Sequence, residues 1–158
     1  MSFGVPSVKL ISGSADETEE IGFKLAGVLK AGDVVALYGD LGAGKTTMVK
    51  GLARAFGIDP RDVTSASFTI VAEHPGTPPF YHIDLYRIRS EEELEQTGFW
   101  ECVEGSGVSV IEWPEKIEDA VLEKAVRVRI RHKGNDIREI VIEGLDEKDR
   151  YNLQTGKA

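Results

Sequence analysis

At 158 residues, with 41% hydrophobic and 29% charged residues and a net charge of −8, the chain has the size and balance of one globular domain able to bury a core. No apolar run approaches the roughly 20 residues of a membrane-spanning helix, and the acidic balance argues against tight, nonspecific nucleic-acid binding by this chain alone, while leaving room for a local basic patch. Cys102 is the only cysteine, so an internal disulfide is excluded and a reducing cytoplasm is expected; the opening MSFGVPSVKL has no basic region followed by an apolar stretch, so no secretory leader is expected.

In chain order, Val8 to Ser12 reads as a short strand. Ser14-x-x-Glu17 resembles a capping box, and Ile21, Leu25, Val28 and Leu29 recur at helical spacing up to Gly32. Val34 to Tyr38 is a continuous apolar run, as a strand buried on both faces should be. A glycine-rich loop follows, then a helix from Thr46 to Phe56 with Val49, Leu52, Ala53 and Phe56 on one face and Gly57 at its end. Phe68 to Ala72 and Phe80 to Ile88 read as strands, joined through the turn chemistry of EHPGTPP. Ser90 caps a short acidic helix to about Gln96, and Val108 to Trp113 is a second buried-strand run. Val126, Val128 and Ile130 alternate with Arg127, Arg129 and Arg131 in a half-buried strand, and a turn at 133–136 returns the chain as Arg138 to Glu143. With no repeat or linker, residues 1–158 are read as a single domain, its polar end over 145–158 expected to fray. Interleaved helices and strands predict an α/β fold: a P-loop NTPase-like sandwich with a mixed, mostly parallel sheet flanked by helices and ending in a C-terminal hairpin.

Gly39-Asp40-Leu41-Gly42-Ala43-Gly44-Lys45-Thr46 fits G-x-x-x-x-G-K-[ST], the phosphate-binding P-loop. Glycines let the backbone curl so that successive N–H groups point at phosphate oxygens. The following helix adds its positive N-terminal potential. Lys45 supplies a mobile cation for the β- and γ-phosphates, and the Thr46 hydroxyl is a Mg²⁺ ligand. Asp40, Leu41, Gly42, Ala43, Gly44, Lys45, Thr46 and Thr47 are therefore the candidate nucleotide contacts, with Ser14, just ahead of the first helix, as a further neighbour.

A second acid must position the metal and the attacking water. Glu112 ends the run Val108-Ser109-Val110-Ile111, and Asp84 lies between apolar neighbours in Tyr81-His82-Ile83-Asp84-Leu85. Either acid could instead pair with Arg87 or Arg89. No Asn-Lys-x-Asp occurs, so GTP selectivity is not expected. A small-molecule kinase is the rival reading, although the strand arginines 127, 129 and 131 make no obvious lid. His74, His82 and Cys102 lack recognised metal-ligand spacing.

GDLGAGKTT, SFTIVAEH, FYHIDLYRI and VIEWPEK, in this order, closely resemble the TsaE family, the small bacterial ATPases of tRNA threonylcarbamoyladenosine synthesis. The resemblance runs from about residue 8 to 143. It implies a fold that binds ATP and Mg²⁺ and works with two partner proteins, which transfer threonylcarbamoyl to N6 of adenosine 37; tRNA would be met only through them. By motif, Lys45 and Thr46 match the phosphate lysine and the metal ligand, and Glu112 the second Mg²⁺-associated acid. Asp84 matches the acid that supports hydrolysis, also placed near the metal, and Trp113 the tryptophan beside the site. Ser65, Ser67 and Phe68 fall in the family's S-P-T-F stretch, a switch loop, with Ala66 in place of its proline.

Overall fold

The computed structural model describes residues 5–63, 70–117 and 120–156. Seven strands form one sheet: β1 (Ser7–Ser12), β2 (Val34–Tyr38), β3 (Val71–His74), β4 (Phe80–Asp84), β5 (Val108–Glu112), β6 (Val126–His132) and β7 (Arg138–Glu143), in the order β1-β7-β6-β2-β5-β4-β3. Three pairings are parallel, β6 with β2, β2 with β5 and β5 with β4, and three are antiparallel. The parallel part is thus the buried centre, where β2 and β5 carry the continuous apolar runs that two covered faces require. The antiparallel hairpins β3–β4 and β6–β7, with β1, finish the edges.

Helices cover both faces. α1 (Ala15–Ala26) and α2 (Lys45–Ala55) bury Leu25, Met48, Val49 and Leu52 against Val35, Leu37, Val128 and Ile140. α3 (Glu91–Gln96), α4 (Phe99–Val103) and α5 (Ala120–Lys124) lie on the other face, where Leu94 and Phe99 meet Ala36, Ile83 and Ile111. α1 and α2 cross closely: a Cβ on Gly51 would lie 1.9 Å from the Glu19 carbonyl oxygen, so only glycine fits this crossing.

Several boundaries differ from the sequence expectation. α1 stops at Ala26, six residues before Gly32, because the last turn tightens: the Gly27 N–H donates to the Lys24 carbonyl and the Val28 N–H to the Leu25 carbonyl. Val28 and Leu29 still pack on the core from outside the helix. The serine half of the capping box is formed, Ser14 Oγ accepting from the Glu17 N–H, while the Glu17 carboxylate reaches one residue further back, to the Gly13 N–H. β4 ends at Asp84, not Ile88, because Asp84 Oδ1 accepts the Tyr86 N–H at 3.0 Å and turns the chain. Within the stretch expected to fray, α6 (Glu147–Thr155) is capped by Asp146, and its Leu153 is buried in the core beside β1. The first residues of the expected third strand lie outside the described residues, as do Ser65, Ser67 and Phe68 of the expected switch loop. No helix among the described residues is long and apolar enough to cross a membrane.

Candidate nucleotide site

Register builds the site. In the parallel pairings Asp84 stands beside Glu112, and Glu112 beside Leu37, so both acids and the end of β2 meet at the carboxyl edge of the sheet. Ligands gather at such edges because the loops leaving adjacent strands enclose a crevice there. The loop after Tyr38 turns through an Asp40–Ala43 backbone hydrogen bond of 3.0 Å and reaches α2 at Lys45. Gly42 and Gly44 have φ of +79° and +115°, conformations that a side chain would strain.

A cavity of about 420 Å³ opens against this loop. Its lining takes in Leu41, Gly42, Gly44, Lys45, Thr46 and Thr47 from the loop and helix start, then Asp84, Tyr86, Glu112, Trp113 and Arg138. Asp40 and Ala43 instead line an adjoining hollow with Tyr38 and Arg129 to His132. Ser14 lines neither; its hydroxyl is engaged as the cap of α1.

Lys45 is only 5% exposed, and its Nζ has no hydrogen-bond partner. It rests 3.5 Å above the centre of the Trp113 ring, held by cation–π attraction. Burial lowers its pKa from the ordinary lysine value, opposed by the negative charges of Glu112, Glu115, Asp84 and Asp40. Trp113 itself has a left-handed backbone, with φ of 59°, and its ring meets Tyr86 at 5.0 Å. Strain of this kind in a non-glycine residue persists only where its surroundings fix it, and such residues gather at functional sites.

Asp84 and Glu112 are both buried. Burial raises the pKa of Asp84, an effect that Glu112 reinforces and that the Tyr86 N–H, His82 and Lys45 oppose. Glu112 pairs with His82, whose Nε2 lies 2.6 Å from its Oε2. His82 is two residues before Asp84 on β4, so the strand's alternation puts both on the α2 side of the sheet. That His-x-Asp spacing was the available signal for His82. Tyr86 and Arg138 were also missed from sequence; nothing local marks Arg138, which enters the site from β7. Among the described residues no cluster of three or more His, Cys, Asp or Glu could hold a metal by itself. Thr46, Asp84 and Glu112 instead offer hard oxygen donors around one cavity, the donor type Mg²⁺ takes when phosphate oxygens complete its shell. An unpartnered buried ammonium in the same cavity fits a phosphate anion.

Comparison with known proteins agrees with this architecture. The family described as "Threonylcarbamoyl adenosine biosynthesis protein TsaE" matches residues 12–140. The tRNA threonylcarbamoyladenosine biosynthesis protein TsaE of Treponema pallidum is 40% identical over 135 residues, covering 85% of this chain and 99% of that protein. Its Bacillus subtilis counterpart is 41% identical over 139 residues, covering 87% of this chain and 85% of that one. The crystal structure of Bacillus subtilis YdiB superposes with a TM-score of 0.79 at 34% identity, covering 99% of this chain and 100% of that chain. With this fold, this loop and these matches, the chain belongs to the TsaE family of threonylcarbamoyl adenosine biosynthesis proteins.

Proposed function

We propose that the chain is the Mg²⁺-dependent, ATP-binding and ATP-hydrolysing component of the machinery that makes N6-threonylcarbamoyladenosine at position 37 of tRNA. The observation that carries this reading is the unpartnered Lys45 ammonium, which shares one cavity with Thr46, Asp84 and Glu112 beneath a phosphate-binding loop. Loop N–H groups and Lys45 bind the phosphates. The Thr46 hydroxyl and the Glu112 carboxylate, steadied by His82, would hold Mg²⁺, which would neutralise phosphate charge when bound. Asp84 lies next to Glu112 and orients the attacking water. Trp113 and Tyr86 wall the cavity.

In this reading two partner proteins carry out the threonylcarbamoyl transfer in the cytoplasm, and the chain meets tRNA only through them. The net charge of −8 supports that division, since a surface that holds a phosphate backbone should be basic. In a filter-binding assay at physiological salt, the isolated chain should retain no tRNA at micromolar concentration. Retention at that level, or tRNA modification by this chain without another protein, would defeat the proposal.

A further inference from the structure

Arg138 begins β7, on the opposite side of β2 from the strands that carry Asp84 and Glu112. Its side chain crosses to the phosphate loop, where Nε–H donates to the Ala43 carbonyl oxygen at 2.8 Å. It also lines the 420 Å³ cavity. Its Nη1 approaches the Ile137 carbonyl, at 3.4 Å. A trans peptide holds its carbonyl and the following N–H in opposite directions. Gripping the Ala43 oxygen therefore sets the direction of the Gly44 N–H, one of the groups that must face phosphate. The grip matters because Gly44, at φ of +115°, has no side chain to restrain the peptide.

We propose that Arg138 is a positioning residue for the phosphate loop: it locks the Ala43–Gly44 peptide in its nucleotide-binding orientation and sets a cation at the side of the cavity away from the carboxylates. The inference rests on the ATP reading of the site. Reaction at the terminal phosphate is assigned to the Asp84 and Glu112 side, so Arg138 acts on binding and not on turnover. ATP and ADP share the phosphates it serves, and they should depend on it equally.

The test uses R138Q and R138K in the full chain, with affinities for ATP and ADP by calorimetry, kcat at saturating ATP, and Tm without nucleotide. R138Q should weaken both nucleotides by the same factor, about tenfold or more, as loss of a charge-assisted contact predicts. R138K keeps the charge but loses the Nε–H, so it should restore only part of the affinity. For both variants kcat should stay within about twofold, and Tm within about 2 °C. Wild-type affinity in R138Q, full restoration by R138K, a fall in kcat at unchanged affinity, or affinity loss that follows a collapse of Tm would each overturn the role. Failure of the wild-type chain to bind ATP would overturn the reading of the site and this inference with it; wild-type binding with unaltered variants overturns the inference alone.

Discussion

Lys45→Ala will weaken ATP binding by about 10- to 150-fold, the equivalent of the roughly 1.5–3 kcal/mol carried by one charge-assisted contact. Lys45 is the only cation in the loop sequence from Gly39 to Thr47, so the loop N–H dipoles would be left to hold the phosphates. The same substitution should not cost stability. The Lys45 ammonium is buried without a hydrogen-bond partner, which folding must offset elsewhere. Removing it relieves that burden, while the cation–π contact with Trp113 is lost. Affinity should therefore fall while Tm without nucleotide stays level or rises, the pattern of a residue kept for function at the expense of stability. Calorimetric titration and a thermal melt of the same sample check both halves. Unchanged affinity would remove Lys45 from the site. Affinity and Tm falling together would make it a folding residue.

Glu112→Gln and Asp84→Asn should fail in different ways. Glu112 is held by His82, and glutamine keeps the shape and an oxygen able to accept from the imidazole. What glutamine lacks is charge, so the tightening of ATP by Mg²⁺ should shrink about tenfold or more, as loss of one charged contact predicts. Asp84→Asn keeps an oxygen that can accept the Tyr86 N–H, so the turn after β4 should hold. It removes the base, and kcat should drop by about 10²- to 10⁴-fold with ATP affinity within a few fold. Titrations with and without Mg²⁺, set beside turnover at saturating ATP, separate the two. Matching defects in both variants would end this division of labour.

The loop and the strand before it were legible because two independent signals coincide there: a glycine pattern that only a curled backbone explains, and an apolar run too continuous for a one-sided strand. The β6–β7 hairpin was equally plain, its alternation of valine and isoleucine with arginine broken by a glycine turn. Chain ends and short helices were harder. α4 and α5 have five residues each, too few for a 3.6-residue period to repeat. α6 is so polar that only Leu153 is buried, and its helix depends on the Asp146 cap and contact with β1.

Within the site, the residues of the loop and the two strand-end acids could be read from local pattern. Their partners could not. His82 meets Glu112 across 30 residues and Arg138 meets Ala43 across 95, and both contacts depend on strand order, which periodicity does not reveal. Ser14, a polar residue ahead of a helix and expected as a nucleotide neighbour, uses its hydroxyl to cap that helix.

The most direct measurement of the central claim is phosphate release from ATP by the purified chain, alone and with the two candidate transferase proteins. The chain alone should release phosphate slowly and only with Mg²⁺, with a clear change in rate when both partners are present. Transfer of the phosphate to a small-molecule acceptor without partners, or no release under either condition, would contradict that claim.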